Sequence, residues 1–404
     1  MGVTHTDQQL IDVHAHFLTD AYVLAARAAG HVHPDGMVGW PSWSADEHLR
    51  LMDRWGVATA MLSISSPGTH FGDDAAARRL TREVNEAGAA ISRANPGRFG
   101  HFASLPLPDV PGALDELGYV LDELDSDGIT IETNSAGRYL GDDRYEPLYR
   151  ELNRRRATVF VHPTSPPCAE AIALGRPRPM LEFIFETTRA VSDLVFTGTL
   201  VRYPDIEWVF THGGGALPLL ADRMELFRTV FTGEDDPDGA VPHQLKRLWF
   251  DIAGTPFPHQ VPAAVAAFGT GRLLYGSDYC WTPAHGVDAQ LASIDQARQP
   301  ANDSWRALTT RNATRLLRPG REVQQPFTPT GRNRRRGTPC SALRSCVPPF
   351  AVYAYYHSII TLEGQTYEYC SANHEPRPRS RFGAAVAAVE GSVSSTDGPR
   401  HAAL

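Results

Sequence analysis

Cysteine is scarce in this chain: Cys168, Cys280, Cys340, Cys346 and Cys370 are the only five in 404 residues, with no Cys-x-x-Cys pair and an odd total. That excludes a zinc knuckle or a disulfide framework and leaves the thiols reduced. Long apolar runs are missing as well. No stretch approaches the roughly 20 residues that span a bilayer, and Met1 to Leu10 lacks the basic and apolar regions of a signal peptide, so a cytoplasmic location without a membrane partner is expected. Positive charge is also short. The net charge is −8, with neither an overall basic excess nor a long basic stripe, which argues against nucleic acid as a partner. What remains is small-molecule chemistry on a soluble scaffold.

With 42% hydrophobic residues the chain can bury a large core, and its length suits one barrel-sized domain or two ordinary ones. Eight short β-rich runs bounded by turn residues are predicted as strands: Leu10 to Val13, Val57 to Ile64, Phe99 to Leu105, Gly128 to Ile131, Thr158 to Val161, Ile206 to Thr211, Leu248 to Ile252, and Arg272 to Tyr275. Most are continuously apolar rather than alternating, which suits parallel strands covered on both faces. Helical spacing fills the gaps at Ala45 to Trp55, Asp74 to Ala94, Val110 to Leu124, Tyr145 to Arg155, Leu181 to Tyr203 and Ala216 to Phe231. Eight strands alternating with helices predict a (β/α)₈ TIM barrel over residues 1–318. A doubly wound open sheet is the alternative, but no Gly-x-Gly-x-x-Gly follows the first strand to serve as its nucleotide loop.

Residues 319–404 differ in composition. They carry a net charge of +4 against −12 for the rest, include Arg334-Arg335-Arg336, and show no sustained periodicity over Gln324 to Thr338. A low-complexity, poorly ordered C-terminal extension is expected there.

In barrel enzymes the reactive groups sit at the carboxyl ends of the strands. The first predicted strand ends in His14-Ala15-His16, whose imidazoles stand one strand period apart and face the same way. A second His-x-His, His31-Val32-His33, precedes Pro34-Asp35-Gly36 and reads as loop. His162 closes the fifth strand, His212 the sixth, and Gly276-Ser277-Asp278 the eighth. Singly, His162 could merely end a strand, His212 cap a turn, and Asp278 cap a helix. Jointly, five polar groups at corresponding strand ends converge on one barrel mouth. Three imidazoles and one carboxylate suit one divalent metal ion, zinc first, with manganese or iron as alternatives.

These pieces resemble the amidohydrolase superfamily, in the branch of the aminocarboxymuconate-semialdehyde and aromatic-acid decarboxylases. The resemblance rests on Ile11-Asp12-Val13-His14-Ala15-His16-Phe17, Val161-His162-Pro163, Thr211-His212-Gly213-Gly214-Gly215 and Gly276-Ser277-Asp278-Tyr279. It implies that His14, His16, His162 and Asp278 bind one metal, with His212 nearby to orient or activate water and Asp278 able to shuttle a proton. It further implies Arg223, eleven positions beyond His212, as a contact for the substrate carboxylate, often across a homodimer interface; a solvent-facing helix arginine is the alternative. Binuclear relatives carry a carbamylated lysine after the fourth strand, whereas the one lysine here, Lys246, precedes the seventh, so a single metal is favoured. Glu132, at the end of the fourth strand, is either a weak second ligand or a polar core residue. For the other substrate arginine of the family, only Arg27 is available between Leu18 and Ser44, and its setting reads as helix. Trp40, Trp43 and the turn Ser65 to Phe71 could wall the pocket, but ordinary packing between long loops is the preferred reading for any one of these residues.

The expected activity is non-oxidative decarboxylation of an aromatic or unsaturated carboxylic acid, semialdehyde-like or salicylate-like. A metal-dependent hydrolase of a lactone or amide is the alternative, since the same ion could activate water. A non-catalytic binding barrel is the third reading, and it predicts no metal requirement.

Overall fold

The computed structural model describes residues 9–233 and 236–317, and the extension at 319–404 lies outside the described residues. Eight parallel strands follow one another around a ring: β1 (Leu10–His16), β2 (Val57–Ser63), β3 (Phe99–Ser104), β4 (Gly128–Glu132), β5 (Thr158–His162), β6 (Glu207–Phe210), β7 (Trp249–Asp251) and β8 (Leu273–Leu274). Each coincides with a predicted run. The ring closes between β8 and β1 through bridges joining Asp12 to Tyr275 and Ala15 to Tyr279, with bonds from the Val13 amide to the Tyr275 carbonyl (3.0 Å), from the His16 amide to the Tyr279 carbonyl and from the Asp278 amide to the His14 carbonyl (2.8 Å). The fold is the expected (β/α)₈ barrel.

The apolar strand sequences follow from burial on both faces. Val159, Phe160 and Val161 are each fully buried, and they divide between two cores. One core fills the barrel: Val13, Met61, Phe102, Phe160, Val209, Trp249 and Leu274 come from seven different strands, and Ala313 and Leu316 pack beneath them. The larger core lies between strands and helices and takes Val159, Val161, Leu62, Phe210 and Phe250. The interior core also reaches the catalytic end, where the Phe160 ring meets the edge of His14 at 5.1 Å.

Helices occupy the predicted segments, with two breaks. Leu181 to Tyr203 divides at Gly198, whose φ of +72° stops Glu182–Phe196 and starts Thr199–Arg202. Ala216 to Phe231 becomes an α-helix, Leu217–Leu226, followed by a wider π turn, Phe227–Phe231. The long first connection is not all loop. It contains Asp20–Ala28, begun by Thr19, whose hydroxyl accepts the Tyr22 amide, and Arg27 is exposed near its end. Further helices cover Val261–Phe268, Ala284–Gln296 and Trp305–Leu316.

Candidate metal centre

Strand alternation turns His14 and His16 toward the barrel axis, and both are completely buried. His162 joins them from the end of β5, and Asp278 arrives from the chain just beyond β8. One ligand atom from each of the four lies within 4.8 Å of all the others. His14 Nε2 stands 3.0 Å from His16 Nε2, and Asp278 Oδ1 is 3.4 Å from the first and 3.3 Å from the second.

The opposite nitrogens of these rings are already engaged. His14 Nδ1 lies 2.9 Å from Asp251 Oδ2, His16 Nδ1 lies 3.3 Å from the Ser63 carbonyl, and His162 Nδ1 lies 2.7 Å from the Pro163 carbonyl. The partners of His14 and His162 can only accept, so Nδ1 holds a proton in those two rings, while His16 Nδ1 also has the Ser63 hydroxyl at 3.1 Å; in all three rings Nε2 is the atom left to face the common centre. Rings held in this way are what a metal requires of imidazole ligands.

Charge makes the same demand. Burial would lower the basicity of His14, but the Asp251 and Asp278 carboxylates outweigh it and push the ring up to about 10. Burial would likewise raise Asp278, yet the field of His14 and hydrogen bonds from His14, His16 and His212 hold it well below the usual carboxylate range. The pocket therefore favours positive charge at its centre, and a divalent cation fits three neutral imidazoles and a carboxylate.

Asp251 was not among the candidates from sequence. It is fully buried at the end of β7, and besides His14 its Oδ1 accepts the His212 amide at 3.0 Å and the Ala253 amide at 2.9 Å. One carboxylate thus fixes both a ligand ring and the backbone of the sixth-strand histidine. The available signal was a lone acid inside an apolar run, Leu248 to Ile252. Gly276 is needed nearby, because a Cβ there would lie 2.6 Å from that of His14.

His212 begins a short turn with φ +55°, and its Nε2 stands 3.8 Å from Asp278 Oδ2. Both residues line a cavity of about 900 Å³ that also includes His162. Its walls are largely apolar, with Met37, Met180, Phe183, Phe257 and Trp281 prominent. Of the turn Ser65 to Phe71, Ser65 and Ser66 line it and the other residues do not. Nor do Trp40 and Trp43: Trp40 packs behind Trp281 at 5.5 Å, and Trp43 packs against Phe17 in the core. Arg223 is exposed on Leu217–Leu226 with its guanidinium 4.9 Å from the Phe227 ring centre, outside the cavity of its own chain. Glu132 approaches His162 Nδ1 at 3.8 Å but is not one of the four clustered ligands, and its Oε2 is buried without a hydrogen-bond partner. His31 and His33 lie in an irregular turn, as expected.

Comparison with known proteins agrees with this geometry. The family model described as Amidohydrolase matches residues 11–318. The decarboxylase yanB of Aspergillus niger is 35% identical over 326 residues, covering 76% of this chain and 87% of that protein. The 6-methylsalicylic acid decarboxylase of Penicillium expansum is 33% identical over 318 residues, covering 76% and 95%. A solved dihydroxybenzoic acid decarboxylase from Polaromonas sp. JS666, with bound manganese, shares the fold at a TM-score of 0.65 and 20% identity, covering 77% of this chain and 97% of that one.

Proposed function

This chain belongs to the amidohydrolase family, and from that premise we propose that it is a metal-dependent carboxy-lyase that removes CO₂, without oxidation, from a small aromatic carboxylic acid. The observation that carries this reading is the buried His14, His16, His162 and Asp278 cluster opening onto a cavity with apolar walls. The relatives named for 6-methylsalicylic acid favour a salicylate-like substrate over a semialdehyde. His14, His16, His162 and Asp278 would hold a divalent ion, which would supply Lewis acidity that offsets the negative charge of the substrate. We assign zinc first on the nitrogen-rich donors; manganese, present in the Polaromonas relative, is the alternative.

The chain's own residues do the remaining work. Met37, Phe183 and Trp281 shape a slot for a flat ring and exclude water from the reacting carbon. When the carbon–carboxylate bond breaks, its electron pair stays on the ring carbon and CO₂ leaves. That carbon then takes a proton passed along the Asp278 and His212 pair. Asp251 keeps His14 and His212 in register throughout.

We also assign a homodimer. Exposed Leu219, Leu226, Val230 and Phe231 surround Arg223 on one face, and Leu219 also lines the cavity, so a second copy seated there would bring its own Arg223 near the mouth. A cytoplasmic location is in keeping with the buried, free thiol of Cys280. Among the described residues no helix is long and apolar enough to cross a membrane.

The test is a panel of hydroxybenzoic and unsaturated acids assayed for CO₂ release, with metal content measured and the product checked for oxygen taken from labelled water. CO₂ release that chelation abolishes and either metal restores is expected. Consumption of a lactone or amide with uptake of labelled oxygen, or activity indifferent to chelation, would overturn the reading.

A further inference from the structure

The catalytic cavity has an unusual charge inventory. Among the described residues that line it there is no lysine and no arginine, and the carboxylates are Asp278, committed to the metal cluster, and Asp35. Asp35 sits in the turn Pro34–Gly36 after the first strand, in left-handed backbone (φ 52°, ψ 26°) that aspartate tolerates better than most residues. Three connections meet at its side chain. The Ser165 hydroxyl, beyond β5, donates to Oδ1 at 2.5 Å. The Ser66 hydroxyl, beyond β2, lies close enough to favour the charged form of Asp35 and is 2.7 Å from Thr164 Oγ1. The next residue, Gly36, has φ +72°, a left-handed backbone that favours glycine. Asp35 also lines a second, more polar cavity of about 600 Å³ beside the first, and no other described residue lines both.

A carboxylate fixed in this way, among apolar walls, has spare lone pairs and offers a charge-assisted hydrogen bond to a donor on the ligand. It also repels a second anion: Arg178, the cation near it, is paired with Glu170 and does not line this cavity. Resting on the decarboxylase reading above, we propose that Asp35 is a specificity-determining residue: it accepts a ring hydroxyl of the substrate, separate from the one beside the reacting carboxylate, and excludes dicarboxylates. The substrate class is then a hydroxylated aromatic monocarboxylate.

The test compares 2-hydroxybenzoate, its dihydroxy isomers and 2-hydroxyisophthalate on the metal-loaded wild type, Asp35→Asn and Asp35→Ala. In the wild type at least one dihydroxy isomer is expected to show a KM about tenfold below that of 2-hydroxybenzoate, the scale of one charged hydrogen bond. Asp35→Asn, which keeps the shape and the bond from Ser165, should erase most of that ratio and admit the dicarboxylate. A wild type without that preference overturns the proposal. So does a ratio unchanged in Asp35→Asn while every KM moves in parallel, as loosening of the turn alone would produce. If no acid releases CO₂, the decarboxylase reading falls, and the same ratios are read as affinities from quenching of Trp281 fluorescence. Affinity ratios that depend on Asp35 then uphold its role, and ratios that do not refute it.

Discussion

Two His-x-His tripeptides share this chain and meet opposite fates. His14 and His16 are fully buried on a strand, each Nδ1 engaged by a partner and each Nε2 left to face one centre. His31 and His33 follow the helix Asp20–Ala28 in a turn, where His33 bonds the Val38 carbonyl at 2.9 Å and His31 packs on Phe71 at 5.1 Å. The tripeptide itself carries no chemistry. What makes a ligand pair is strand alternation, burial and partners brought from the ends of β5 and β8.

Breaking the buried pair should have the largest effect. His14→Ala is expected to lose both metal, by elemental analysis, and CO₂ release, while the barrel remains folded by circular dichroism. Asp278→Asn should lower kcat by about 10²- to 10⁴-fold if it passes the proton, with part of the metal retained. Asp251→Asn tests whether the engaged Nδ1 matters, and metal affinity by competition with a chelating dye should fall about 10- to 100-fold. Arg223→Ala should raise KM by about tenfold, the scale of a charged hydrogen bond, and move kcat less. His31→Ala and His33→Ala complete the series, with metal content and kcat indistinguishable from wild type. A metal deficit in either loop variant would erase the contrast between the two tripeptides.

The strands were legible because parallel strands covered on both faces must be apolar, and the turn residues between them mark their ends. The metal ligands were legible for a related reason: a polar residue ending such a run stands out. Asp251 carries the same signal but is followed by Ile252 and Ala253, so it reads as an interruption inside a run rather than its end. Helices such as Val261–Phe268 were hidden because they are apolar on most sides and lack a capping side chain, leaving no period to detect. Asp35 was hidden by conformation. Its role depends on a left-handed turn that brings it to serines from two other connections, a meeting no local spacing encodes.

The seam between β8 and β1 has a consequence for stability. Asp278 stands on one side of it and His14 and His16 on the other, so an ion held by all three would be a clasp across the joint that closes the ring. Its binding free energy is then linked to closure, worth about 2.7 kcal/mol at a free-ion concentration one hundred times Kd. Stripping the ion should raise amide hydrogen exchange first at residues 12–16 and 275–279, ahead of the paired strands opposite.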